Sequence, residues 1–99
     1  MMQDDILTQL HTEAEKVDKL IPNLIWYLFG SMLRTPEQAA DIDILILCEA
    51  EEQAKHVRRE LHDLCMRVPL HLFLPTRAEE AELGFIASQG CVQVYPPIR

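Results

Sequence analysis

The chain has no run of apolar residues long enough to cross a bilayer: its most continuous stretch, Leu24–Phe29 (LIWYLF), falls far short of the roughly 18 to 20 residues a membrane helix needs. Basic residues are scarce as well. Nine Lys and Arg against sixteen Asp and Glu leave a net charge of -7. That balance argues against broad nucleic-acid binding, which relies on clustered Lys and Arg to neutralise phosphates, and leaves room only for a local basic site. Cysteine is sparse and odd in number. Cys48, Cys65 and Cys91 are widely spaced and form no C-x-x-C pattern, so reduced thiols are expected in place of a disulfide framework. His62 and Cys65 lie three apart beside Asp63, but two neighbouring ligands are too few for a closed zinc site. The opening residues, MMQDDILTQLHTEAEK, place acids where a secretory signal carries Lys or Arg, and the expected location is therefore the cytoplasm.

Repeats, low-complexity segments and linkers are absent too. The 99 residues, 48% apolar and 25% charged, read as a single globular domain spanning residues 1–99. At this length the core is thin, so a second copy or a partner chain is expected.

Hydrophobic periodicity divides the chain into elements. Ile6, Leu10, Ala14, Val17 and Ile21 are spaced for one helix face, with Asp4 and Asp5 as capping candidates and Pro22-Asn23 as the stop. Leu24–Phe29 is expected to be a buried strand ending at Gly30. Residues 30–40 hold one helical turn before Thr35-Pro36 interrupts it. In residues 41–48 (DIDILILC), Ile42, Ile44 and Ile46 point to one face, and Asp41, Asp43, Leu45 and Leu47 to the other. An amphipathic helix is expected over 50–65, a strand over 68–74, a capping box at Thr76–Glu79 opening a helix that Gly90 stops, and a strand over 91–95. This order implies an α/β (α+β) sandwich with helices covering a small mixed sheet.

One constellation carries chemistry. Phe29-Gly30-Ser31 ends a strand, and after nine residues Asp41-Ile42-Asp43-Ile44 opens the next. Carboxylates at i and i+2 of a strand emerge on one face with Cα atoms about 6.5 to 7 Å apart, close enough to share divalent ions. Gly30 lets a phosphate chain approach the backbone, and Ser31 can donate its hydroxyl to a phosphate oxygen at the start of a helical turn.

Phe29, Gly30, Ser31, Asp41, Ile42, Asp43 and Ile44 resemble the signature of the nucleotidyltransferase superfamily, specifically its minimal members. The motif and the strand order cover roughly residues 22–75. The resemblance implies a nucleotidyltransferase (polymerase beta-like) fold. It also implies Mg²⁺, or Mn²⁺ in its place, on Asp41 and Asp43, and a triphosphate cradled by Gly30 and Ser31. The implied activity is transfer of a nucleotidyl group from a nucleoside triphosphate to an acceptor hydroxyl, with release of pyrophosphate. It further implies a partner, since several minimal members pair with a helical protein in two-gene toxin–antitoxin systems.

Two departures stand out. The family's third carboxylate, on a neighbouring strand, is matched in VPLHLF by His71, a candidate base and a poor Mg²⁺ ligand. The spacer MLRTPEQAA offers the phosphates only Arg34. The alternative reading is a catalytically impaired subunit of the same fold that binds another protein in an antitoxin-like role.

Other groups have simpler readings. Glu79 and Glu80 could replace the missing acid, though the capping box accounts for Glu79. Arg58, Arg59 and Arg67 read as a solvated helix face, and Trp26, Tyr27 and Phe29 as core. His11, His56 and His62 have no visible partner.

Overall fold

The helical spacing of the N-terminal apolar residues produces α1 (Met2–Leu20) in the computed structural model, which describes residues 2–35, 37 and 41–97, with side chains from residue 6 onward. The backbone is already helical at Asp4 and Asp5, so neither is the cap expected of it. Alternating and continuous apolar runs become β1 (Ile25–Phe29), β2 (Ile42–Leu47), β3 (Leu70–Phe73) and β4 (Val92–Tyr95). The single turn α2 (Ser31–Arg34) lies between the first two strands. Pro36, expected to end it, lies outside the described residues, as do the spacer residues Gln38, Ala39 and Ala40.

Two expected helices are each divided in two. The first runs as α3 (Glu51–Glu60) and α4 (His62–Arg67), parted at Leu61, whose φ of -95° and ψ of 4° leave the helical region. Hydrogen bonds from Leu61 N to Val57 O and from Cys65 N to Leu61 O carry the chain across the break. The second runs as α5 (Arg77–Leu83) and α6 (Phe85–Ser88), parted at Gly84, which adopts the left-handed conformation at φ 59°. The capping box forms as expected: Thr76 accepts from the Glu79 amide, and the Glu79 carboxylate accepts from the Thr76 amide.

The four strands form one mixed sheet in the order β3-β2-β1-β4. β1 is antiparallel to β2 and β4, while β2 and β3 are parallel. On one face Trp26, Leu28, Ile42, Ile44 and Ile46 join Leu10, Ala14 and Val17 of α1 and Val57, Leu61 and Leu64 of the α3–α4 segment in a single core. Strand alternation turns Phe29, Asp43, Leu45, His71 and Phe73 to the opposite face. There Phe85 of α6 meets Phe29 and Phe73 edge-on, with ring centroids 5.1 and 5.0 Å away.

The result is a small α+β domain with a four-stranded mixed sheet and, among the described residues, six helices. It is compatible with the expected sandwich. No helix among the described residues is long and apolar enough to cross a membrane.

Ile44 sits at the centre of this core with no exposed surface. Ile44→Ala is expected to lower unfolding free energy by about 3 kcal/mol, within the range for truncating a buried aliphatic side chain. Equilibrium urea denaturation measures it. A loss below about 1 kcal/mol would show that the sheet does not pack through this residue.

Candidate functional site

The end of β1 meets the start of β2 through strand register. Phe29 pairs with Asp43 across the antiparallel ladder, and Asp43 pairs with His71 across the parallel one. Side chains of directly paired residues share a face, so the topology sets Asp43 beside His71. His71 Nδ1 lies 3.1 Å from Asp43 Oδ1. The imidazole is largely exposed, at 79%, and the carboxylate largely covered, at 20%.

Gly30 closes the other side of the carboxylate. It leaves β1 at φ 77° and ψ -152°, in a region that is essentially glycine-only. A Cβ built there would collide with Asp43 Oδ2. Conformation and space thus demand the same residue. From Gly30 the chain enters α2, where Leu33 N donates to Gly30 O at 3.1 Å and Thr35 N donates to Ser31 O at 2.7 Å. Met32 is buried and anchors this turn, while Ser31 and Arg34 are exposed.

Gly30, Asp43 and His71 are therefore brought together, with Ser31 adjoining them. Asp41 lies one residue ahead of β2 and is exposed. Neither Asp41 nor Arg34 is joined to the Asp43–His71 pair by a hydrogen bond or ion pair among the described residues. No three His, Cys, Asp or Glu side chains among those residues form a group able to hold a metal ion.

Glu80 has a different task from that of a replacement acid. Its carboxylate accepts from the amides of Phe85 and Ile86, each at 3.1 Å, and so caps α6 after the Gly84 break. The Phe29–Phe73–Phe85 cluster escaped the sequence reading, which placed Phe29 in the core. Only the β1–β2 register, which pairs Phe29 with Asp43, turns Phe29 away from the core face.

The three cysteines are free thiols. Cys48 has no exposed surface, and its Sγ donates to Ile46 O at 3.4 Å. Burial pushes its thiol up from 9.0 to about 11. Burial also raises Cys65, partly offset by the charge of Arg58, and raises Cys91, with Glu80 adding to the shift. The native state holds the Cys48 proton to higher pH than the unfolded chain does. Its contribution is therefore full below about pH 9 and is lost as pH rises toward about 11. Urea unfolding at pH 8, 9 and 10 is expected to show this alkaline loss, and Cys48→Ala should flatten it. An equal slope in both proteins would contradict the assignment.

Comparison with known proteins returns no significant match among family models, curated proteins or solved structures.

Proposed function

We propose that the chain binds a nucleoside triphosphate with Mg²⁺ and transfers its nucleotidyl group to an acceptor hydroxyl, releasing pyrophosphate. The observation that carries this reading is the packing of Gly30 directly onto the Asp43 carboxylate, with Ser31 next in the chain and His71 on the other carboxylate oxygen. Gly30 places no side chain of its own beside the Asp43 carboxylate, so a phosphate chain held by a carboxylate-bound cation can lie along the backbone there.

The donor set fits a metal that arrives with its nucleotide better than one held by protein alone. Mg²⁺ commonly takes one or two carboxylates and completes its shell with phosphates and water. Asp41 and Asp43 would supply those carboxylates; when bound, Mg²⁺ neutralises charge on the attacking and leaving oxygens. Ser31 donates its hydroxyl to a phosphate oxygen, and Arg34 supplies positive charge from the end of α2. In the tautomer whose Nδ1–H donates to Asp43 Oδ1, His71 presents the Nε2 lone pair to solvent. Nε2 then accepts the acceptor's proton while its oxygen bonds to the α-phosphorus and the bond to the β-phosphate oxygen breaks. Free thiols on all three cysteines suit the cytoplasmic setting that is part of this proposal.

The second reading, a catalytically impaired subunit that binds a helical partner or a second copy, is favoured by one observation. His71 occupies the register position opposite Asp43, where the resemblance would place the third acid. Calorimetric titration with ATP, GTP, CTP and UTP, with and without Mg²⁺ or Mn²⁺, separates the two. Metal-dependent binding that disappears in Asp41→Asn/Asp43→Asn supports the enzyme. Co-purification with a partner and no nucleotide binding supports the subunit.

A further inference from the structure

β3 is one of the two edge strands of the sheet, β4 being the other. The bond from Ile42 N to Pro69 O sets the phase of the parallel ladder. In that phase His71 and Phe73 direct their amides and carbonyls toward β2, and Leu70 and Leu72 turn theirs away from it. Pro69 and Pro75 bound this edge, so only a short strand could be added to it.

Two adjoining cavities follow the same edge. One, of about 660 Å³, is lined by Glu51, Ala54, Lys55, Arg58, Arg59, His62 and Leu74. The other, of about 440 Å³, is lined by Arg58, His62, Cys65, Leu70, His71 and Leu72. Arg58 and His62 are common to both, so the two form one groove between the α3–α4 segment and β3. Its floor is apolar. Its wall is cationic in a chain whose net charge is -7. Lys55, Arg58 and Arg59 are exposed and make no ion pair among the described residues, and Glu51 is the one carboxylate on the lining.

We infer that this groove binds an acidic, extended peptide segment of a partner protein, which adds as a strand to β3. The outward amide and carbonyl of Leu72 supply main-chain hydrogen bonds, and alternate side chains of the added strand reach the Lys55–Arg58–His62 wall. Charge selects this occupant over a second copy paired symmetrically through β3, because two copies would bring the same cationic walls together. The inference does not rest on the nucleotide reading, although His71 belongs both to the groove lining and to the Asp43 pair on the other face of the sheet.

The test uses the full chain labelled with ¹⁵N and a short peptide alternating Glu and Val. The expected result is saturable binding that shifts the amides of Leu70–Leu74 and Arg58 and protects the Leu72 amide from exchange. Lys55→Glu/Arg58→Glu, two changes on an exposed helix face, should weaken binding by at least about tenfold with the spectrum otherwise preserved. The inference is overturned if the acidic peptide does not bind or leaves Leu72 unchanged, or if the double variant binds as tightly. It is equally overturned if a Lys–Val peptide binds as well. Shifts along β3 that grow with protein concentration in the absence of peptide would instead assign the edge to a second copy.

Discussion

Gly30→Ala is expected to cost about 3 kcal/mol of stability or more, a large share of the roughly 5 to 15 kcal/mol that holds a domain together. Two effects combine at this position. The backbone at φ 77° and ψ -152° costs a side-chain-bearing residue about 1 to 3 kcal/mol. The new Cβ also meets Asp43 Oδ2 and forces the carboxylate to move, which disturbs its contact with His71. The two parts can be separated. Asp43→Ala removes the carboxylate but leaves the backbone conformation, so Gly30→Ala should cost less in that background, by about 1 kcal/mol, without becoming neutral. Urea denaturation of the four proteins measures the cycle. Additive effects would show that Gly30 and Asp43 do not press on each other.

Asp43→Asn should do the reverse, sparing the fold and removing the proposed nucleotide binding. The side chain keeps its shape, and the pair it forms with the largely exposed His71 is of a kind worth only about 0 to 1 kcal/mol. Unfolding midpoints should hardly move. Mg²⁺-dependent affinity for a nucleoside triphosphate, by contrast, should fall at least about a hundredfold, or about 2.7 kcal/mol. Nucleotide-induced thermal stabilisation in the presence of Mg²⁺ reads this directly. A variant stabilised as strongly as the wild type would remove Asp43 from the proposed site.

The contrast between these substitutions reflects what a sequence can express. Strand alternation in DIDILIL placed Asp43 opposite the Ile42–Ile44–Ile46 face, and β2 forms with that orientation. The Thr76–Glu79 capping box was legible because its chemistry is local. The break at Leu61 was not, since neither Gly nor Pro marks it and Leu61 itself is wholly buried. The break at Gly84 could have been read from the glycine. The compensating cap from Glu80 could not, because it depends on where the chain turns. The His71–Asp43 contact lies between these cases: the resemblance put His71 in the place of the third acid, but only the parallel register of β2 and β3 brings it against Asp43. Likewise, Arg58 and Arg59 read as an ordinary solvated face until β3 supplies the other wall of the groove.

The central claim is that a metal-bound nucleotide sits against Gly30, Ser31 and Asp43. Its most direct test is paramagnetic broadening of backbone amides in the ¹⁵N-labelled chain on addition of Mn²⁺ with ATP, GTP, CTP or UTP. The expected result is loss of signal centred on Gly30, Ser31 and Asp43 and extending to His71, dependent on the nucleotide and absent in Asp41→Asn/Asp43→Asn. Broadening centred elsewhere, or no nucleotide-dependent broadening with any of the four, would contradict it.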